Sequence, residues 1–146
     1  SALTLIVGEG DKETRALVQS TKEALYKAIK AARAGNTTGD IGYAVEGFVK
    51  ERGYGLVKEL AGHGVGYAVH EEPNIPNFGN PGEGVELKAG MVIALEPMLN
   101  AGTGDVDFHE DGFTVTTADG KKSAHFEHTI VITDGDPIVV TRRDNE

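Results

Sequence analysis

Three side chains between residues 63 and 127 have the chemistry of metal ligands and lie on three separate segments. His63 lies in the run GHGVG, Glu96 in LEPM and Glu127 in FEHT. A neutral imidazole together with carboxylate oxygens suits hard or borderline divalent metals such as manganese, iron or cobalt. We therefore treat these residues as a candidate metal site, which forms only if the elements that carry them bring them together.

Glu96 has the strongest local signal of the three. It ends the apolar run MVIAL, which predicts a buried strand. A carboxylate there is costly unless it is paired or bound to a metal. Pro97 has no N–H, so the sheet hydrogen bonds must break beside Glu96, and the proline also favours an extended conformation at Glu96. The alternative is a glutamate at a strand end that turns to solvent.

His63 and Glu127 have weaker local signals. The glycines around His63 leave room for close approach by backbone or ligand, but a glycine-rich bend with a solvated histidine would have the same sequence. Glu127 shares one face of a predicted strand with His125, which suggests a polar pocket. A surface stripe of alternating polar residues would show the same pattern. Neither residue alone distinguishes a site from ordinary surface.

His70 follows His63 by seven residues. In a regular strand this odd spacing would place the two rings on opposite faces. A β-bulge at the glycines would change that arrangement. The spacing therefore leaves open whether the two histidines meet.

Composition limits the class of protein. With 146 residues the chain is long enough for one core, and without cysteine it has no disulfide and no thiolate metal site. No stretch approaches the roughly 20 apolar residues of a membrane helix. A net charge of -9 argues against unaided binding to nucleic-acid phosphates. We expect a cytoplasmic protein with no membrane partner and no nucleic-acid partner.

The order of predicted elements is one strand, two helices and then a mostly antiparallel sheet, which makes the fold class α+β. The first three elements are a strand at residues 1–7, a helix at residues 11–34 stopped by Gly35, and a helix from Thr37 or Thr38 to Gly53. Later strands are predicted at residues 91–99, 113–117, 125–133 and 137–141. Asp119 and Gly120 predict a hairpin tip between two of them.

Helical periodicity predicts which face of each helix is buried. The buried face of the first helix comprises Leu17, Thr21, Ala24, Leu25, Ala28, Ile29 and Ala32. The buried face of the second comprises Ile41, Ala44, Val45, Phe48 and Val49. The polar faces of both helices lack any arrangement for chemistry, so we interpret the helices as cover for the strands.

Taken in order, the motifs GHGVG, HEEP, LKAGM, EPM, DGFTV and SAHFEHT resemble those of type 1 methionine aminopeptidases. The match runs through nearly the whole chain. Aminopeptidase P and prolidase share the fold but differ around the second glutamate. The resemblance implies the pita-bread fold, also called the creatinase/aminopeptidase fold. It further implies that residues 1–146 are a single segment, the C-terminal half of the catalytic domain, with the N-terminal half outside this chain.

The resemblance also implies a ligand set. His63, Glu96 and Glu127 match the family's metal ligands, and Glu96 matches its proton shuttle. The metals implied are divalent ions of manganese, iron, cobalt or zinc, on which a bound water becomes a nucleophile near neutral pH. The family's site holds two ions and takes two aspartates from the N-terminal half, so at most one ion is expected here.

Substrate contacts are implied at three positions. His70 matches a catalytic histidine that contacts the scissile peptide group and stabilises its developing charge. Val69 matches an aromatic residue on the wall of the methionine pocket, and Phe113 a position at the pocket entrance that is often tryptophan. The function implied is removal of the initiator methionine from nascent chains near the ribosome. We expect activity to require the N-terminal half, which is either supplied by another chain or absent through truncation.

A second hypothesis belongs to a different class of function. The chain would be a catalytically inactive module of the pita-bread fold that binds peptides or proteins. Metal binding that depends on Glu96 and Glu127 separates the two hypotheses, because an inactive module should be indifferent to those carboxylates.

Overall fold

The structure is a computed structural model that describes residues 1–143. Its two helices lie against antiparallel sheets, so the predicted α+β class is confirmed. Neither helix is long and apolar enough to cross a membrane, a finding that covers the described residues.

Both helices begin at predicted caps. Helix α1 spans Lys12–Ala31, and the Asp11 carboxylate accepts a hydrogen bond from the Thr14 N–H at its start. Helix α2 spans Thr38–Arg52 and ends as predicted at Gly53, whose φ of 72° is left-handed. Local capping chemistry therefore sets three of the four helix ends.

The start of α2 is a capping box. The Thr37 hydroxyl accepts a hydrogen bond from the Asp40 N–H, and the Asp40 carboxylate accepts one from the Thr37 N–H. The hydrogen bond from the Thr37 N–H, above all, holds the pKa of Asp40 below its ordinary value, because it stabilises the charged carboxylate.

The predicted end of the first helix is wrong. Helix α1 ends at Ala31 rather than at residue 34, because the N–H of Ala32 bonds back to the carbonyls of both Ala28 and Ile29 and the backbone turns there. Gly35, with a φ of 87°, lies in the connection between the helices and does not cap α1.

The predicted buried faces of both helices are confirmed. Every predicted residue of α1 is buried, and among those of α2 only Ala44 is partly exposed. The helices pack on each other and on the sheets. The core includes two large aromatic side chains, Phe48 and Phe126, and its most completely buried large aliphatic members are Leu17, Leu25, Ile41, Val45, Ile75, Leu87, Ile93, Leu95, Leu99, Ile130 and Ile132.

The strands form three antiparallel sheets within residues 1–143. They are β1 Gly55–Leu56, β2 Gly62–Gly64, β3 Glu71–Ile75, β4 Val92–Leu95, β5 Met98–Asn100, β6 Val106–Phe108, β7 Val115–Thr117, β8 Ser123–His125, β9 His128–Val131 and β10 Ile138–Val139. The orders are β10-β9-β4-β2-β3 in the large sheet, β1-β5-β8 in the small sheet, and β6-β7 in a hairpin.

The large and small sheets meet where two segments of the chain run side by side from one sheet into the other. Strand β4 lies in the large sheet and β5 in the small one, and β8 and β9 make the same crossing in reverse. We call the crossing the seam, formed by residues 96–97 and 126–127. The pairs that flank it are Leu95 with His128 and Met98 with His125. One register therefore continues through the seam.

The predicted strand at residues 1–7 is wrong. This segment makes one backbone bridge, between Ala2 and Glu127. Beyond it, the Thr4 hydroxyl accepts a hydrogen bond from the His125 N–H and donates one to the His125 carbonyl. The Thr4 side chain makes the hydrogen bonds that the backbone of a strand would make at this position, so the ladder of backbone hydrogen bonds does not continue.

The hairpin predicted at Asp119 and Gly120 is also wrong. The hairpin of β6 and β7 turns around Gly112, whose φ is 75°. Residues 119–120 instead connect β7 to β8, which lie in different sheets. Both turns contain an Asp-Gly pair, so the dipeptide marks a turn without showing which strands pair.

Two glycines of α2 allow the connection between β3 and β4 to lie directly on the helix backbone. A Cβ at Gly42 would be 2.2 Å from the carbonyl oxygen of Phe78, and one at Gly39 would be 2.3 Å from that of Asn80. The contact holds the connection that leads into β4, and β4 leads into the seam.

Substitution of Gly42 tests this contact. Gly42→Ala should lower the free energy of unfolding by about 1–3 kcal/mol, because the new methyl group must displace a backbone carbonyl. Gly47 on the same helix has nothing within 4 Å of its Cβ position. Gly47→Ala should therefore raise the free energy of unfolding by about 0.5–1 kcal/mol. Urea denaturation followed by circular dichroism measures both, and equal effects would contradict the close packing.

Candidate functional site

At the seam, Glu96 and Glu127 lie opposite each other, and each has a backbone group that makes its hydrogen bond to a partner outside the sheet ladder. Pro97 has no N–H, and the Glu96 carbonyl accepts a hydrogen bond from the Asn77 side chain at 3.4 Å. On the opposite segment, the Glu127 N–H donates to the Ala2 carbonyl at 2.9 Å. Strand β4 ends one residue before Glu96. The predicted break beside Glu96 is confirmed.

The strand registers place the candidate residues on one face. Glu127 lies opposite Glu96 in the register that runs through the seam. His63 pairs with Ala94, two residues before Glu96. Because side chains alternate between faces along a strand, residues 94 and 96 share a face with their cross-strand neighbours.

His63 and Glu96 come together on that face. The Nε2 atom of His63 is 3.5 Å from Oε1 of Glu96, and the side chains are only 14% and 15% exposed. The Nδ1 atom of His63 lies 2.8 Å from the Gly64 carbonyl oxygen. Since a carbonyl only accepts, Nδ1 carries the hydrogen, and in the neutral ring the Nε2 lone pair is left free. A metal-binding histidine is held by its second nitrogen in this way.

The glycines on both sides of His63 allow β2 to lie very close to its neighbours. A Cβ at Gly62 would be 2.3 Å from the Ala94 carbonyl oxygen, and one at Gly64 would be 2.1 Å from the Glu72 carbonyl oxygen. Strand β2 is central, between β3 and β4. The run GHG is therefore a closely packed strand with a largely buried histidine, and the interpretation as a solvated bend is wrong.

His70 meets His63 despite the odd spacing. The pairing of β2 with β3 shifts register between His63 and Gly64. The two ring centroids are 4.2 Å apart, with the ring planes at 50°. The register shift at Gly64 thus brings the two histidines together, a question that their spacing in the sequence left open.

A further histidine joins Glu96, and the motif analysis did not select it. The Nε2 atom of His125 lies 3.6 Å from Oε2 of Glu96, whereas His63 faces Oε1. This Nε2 atom is enclosed and makes no hydrogen bond within residues 1–143. The one sequence signal for it is the face that His125 shares with Glu127. The contact itself depends on the pairing of β5 with β8, which no local motif specifies.

Glu127 does not complete a three-ligand cluster. Its Oε1 atom lies 3.5 Å from the N-terminal ammonium of Ser1. Across the described part of the chain, no group of three or more His, Cys, Asp or Glu side chains converges closely enough to hold a metal ion. His63 and Glu96 have the donor types that fit a divalent ion, and their ligand roles stay predictions.

The predicted substrate-contacting residues are at the surface. Val69, next to His70, is 74% exposed, and Phe113 in the β6–β7 turn is 93% exposed. Large apolar side chains in exposed positions are compatible with contact to a ligand or a partner. Their roles stay predictions.

Comparison with known families decides where this fold and this histidine–glutamate pair belong. Residues 1–134 match the model of Metallopeptidase family M24. The chain belongs to this family. Divalent metals are accordingly the class of cofactor that the M24 fold carries.

Individual relatives agree with the M24 assignment. Methionine aminopeptidase 1 of Bacillus subtilis is 44% identical over 142 residues, covering 97% of this chain and 57% of the relative. The crystal structure of methionine aminopeptidase from Thermotoga maritima superposes with a TM-score of 0.92 at 44% identity, with the same coverages of 97% and 57%. The M24 chain therefore spans just over half the length of these relatives.

The M24 relatives also include less similar peptidases. Prolidase from Pyrococcus furiosus has a TM-score of 0.74 at 26% identity, covering 96% of this chain and 36% of that one. The predicted resemblance to methionine aminopeptidases is confirmed, and so is the pita-bread fold of the family. The expected distance from prolidases agrees with the lower similarity.

Thr4→Val tests how residues 1–7 hold the strand that carries His125. Valine keeps the shape of threonine but leaves the N–H and carbonyl of His125 without their partner, so the free energy of unfolding should fall by about 1–3 kcal/mol. Thr116, an exposed residue whose hydroxyl contacts His109, is the matched control. Thr116→Val should change the value by less than about 0.5 kcal/mol. Guanidinium denaturation measures both. A Thr4→Val chain as stable as the parent would show that the hydroxyl does not secure this strand.

Proposed function

We propose that the chain is the metal-binding part of a methionine aminopeptidase, a hydrolase that removes the N-terminal methionine from new polypeptides. The observation that carries the proposal is the 3.5 Å approach of His63 Nε2 to Glu96 Oε1 at the seam of an M24 chain. The relatives named above supply the reaction class, since they are methionine aminopeptidases.

The separation of these two atoms suits two ligands of one ion. Ligand atoms about 2.1 Å from an ion lie about 3.0 Å apart at a right angle and about 3.4 Å apart at the tetrahedral angle. The observed 3.5 Å is close to the second value. The His63 ring is already oriented by the Gly64 carbonyl, so little ordering of that ring remains for binding.

Glu127 is the third ligand in this proposal. It stands opposite Glu96 in the register and is partly buried. A change of side-chain rotamer is the step that would turn it toward His63 and Glu96.

The chemistry assigned to the site is hydrolysis of a peptide bond. His63, Glu96 and Glu127 would hold a divalent ion of manganese, iron, cobalt or zinc, which would supply a water with a lowered pKa as the nucleophile near neutral pH. Glu96 takes a proton from the attacking water as the water oxygen bonds to the peptide carbonyl carbon, and it passes that proton to the nitrogen of the leaving amine as the C–N bond breaks. His70, next to His63, donates a hydrogen bond to the carbonyl oxygen as negative charge develops there.

Substrate selection is assigned to the exposed apolar residues. Val69 and Phe113 line the pocket for the methionine side chain, which is apolar and flexible and suits contacts of this kind. The substrates are nascent polypeptides in the cytoplasm, met near the ribosome. Activity requires the N-terminal half, which holds the remaining ligands and acts as a separate chain if it is not joined to this one.

Metal titration tests the ligand set. The unmodified chain should bind one cobalt or manganese ion by isothermal titration calorimetry. Glu96→Gln and Glu127→Gln should each weaken binding by more than the roughly 10- to 100-fold caused by loss of a group behind a ligand. Glu110→Gln changes an exposed carboxylate in the β6–β7 turn and should bind as the parent does. If neither Glu96→Gln nor Glu127→Gln changes the metal affinity, the result would instead support the hypothesis of an inactive binding module.

Complementation tests the activity. The chain should be mixed with a recombinant N-terminal half of the Bacillus subtilis relative and a Met-Gly peptide in the presence of cobalt. Methionine release should exceed that of either half alone. His70→Ala should lower kcat by about 100- to 1,000-fold, because one stabilising donor is lost, while cobalt affinity stays unchanged. No gain in rate on mixing would contradict the proposal that the N-terminal half completes an active site on this chain.

A further inference from the structure

We propose that His125 is a positioning residue, which holds the Glu96 carboxylate so that Oε1 stays directed at His63. The proposal rests on the function proposed above, since it treats Glu96 as a ligand. It adds a role for His125, which the ligand set does not contain.

The geometry places one imidazole on each oxygen of Glu96. His63 Nε2 lies 3.5 Å from Oε1, and His125 Nε2 lies 3.6 Å from Oε2. A free glutamate can turn its carboxylate about a soft terminal torsion. A donor on Oε2 restricts that rotation and leaves Oε1 on the side of His63. Partners of this kind behind a ligand commonly strengthen metal binding.

His125 has one nitrogen suited to this task. Its Nε2 atom is enclosed and has no hydrogen bond in the described part of the chain. An enclosed polar atom without a partner is unfavourable. A small movement of the Glu96 carboxylate would close the 3.6 Å gap to a hydrogen bond and satisfy both groups.

The backbone of His125 is well anchored. Its N–H donates to the Thr4 hydroxyl at 2.9 Å, and its carbonyl accepts from the same hydroxyl at 2.9 Å. Strand β8 also pairs His125 with Met98, two residues after Glu96. The backbone that carries the ring is therefore held on both sides, which keeps the ring within reach of the Glu96 carboxylate.

Cobalt binding to the full chain is the first test. His125→Ala should weaken the cobalt affinity about 10- to 100-fold. His125→Gln keeps an N–H donor of similar reach and should restore the affinity to within about threefold of the parent. The visible absorption of bound cobalt, which reports the ligands themselves, should be the same in the parent and in His125→Gln. His109→Gln, in the β6–β7 hairpin, is the matched control and should change neither measurement.

Two cobalt results would overturn the proposal. If His125→Ala binds cobalt as tightly as the parent while Glu96→Gln does not, the metal site stands and His125 has no role in it. If His125→Gln is as weak as His125→Ala and the absorption spectrum changes, His125 is itself a ligand. A purely structural role would lower the melting temperature of His125→Ala without any change in cobalt affinity.

A second measurement needs no metal and separates failure of this proposal from failure of the proposed function. Nitrogen-15 NMR of the histidine rings at about pH 8.5, where an ordinary imidazole is neutral, reports which ring nitrogen carries the hydrogen. The Nε2 atom of His125 should be protonated, and Glu96→Gln should shift its signal. If the Nε2 atom of His125 carries no hydrogen, or if its signal does not shift in Glu96→Gln, the proposal is overturned. If the parent chain binds no cobalt, the proposed function fails, and the NMR result alone decides the role of His125.

Discussion

The site depends on a glutamate placed where a strand must stop pairing. Pro97 removes the donor that β4 would need to continue, so the chain leaves the large sheet beside Glu96 and enters the small one. The Glu96 side chain is 15% exposed and is flanked by the imidazoles of His63 and His125. A carboxylate in such a position is tolerable because polar partners surround it. The same position in the chain therefore both ends the backbone pairing of β4 and places the Glu96 carboxylate between the two imidazoles.

The second requirement is that neighbouring strands approach closely enough for side chains from separate segments to meet. Gly62 and Gly64 satisfy it for β2, because any side chain there would collide with a carbonyl oxygen of a neighbouring strand. The register shift beside Gly64 then turns His70 onto the His63 ring. Helix α2 contributes from a distance, since Gly42 holds the connection that leads into β4.

Local sequence patterns predicted the helices, their buried faces and the break at Glu96, because each depends on neighbours within one or two turns. They failed at residues 1–7, where a run of leucine and β-branched residues makes a single bridge and the Thr4 hydroxyl takes the place of the backbone. They also failed at Asp119, since an Asp-Gly pair does not specify which strands it joins. His125 was missed for a related reason. Its approach to Glu96 follows from the pairing of two segments far apart in the chain, and only the register reveals it.

The proposed function gives one explanation for two features that would otherwise be unrelated. No group of three donors that could hold a metal ion converges within the described residues, and an ion held by His63 and Glu96 alone keeps most of its positions for water and binds weakly. On the same chain, Leu5, Val7 and Phe113 are 76%, 99% and 93% exposed, although large apolar side chains favour burial. The relatives are longer, and this chain covers 57% of the first of them. A further segment that supplies ligands and packs on these side chains would complete the coordination and cover the apolar surface in a single step.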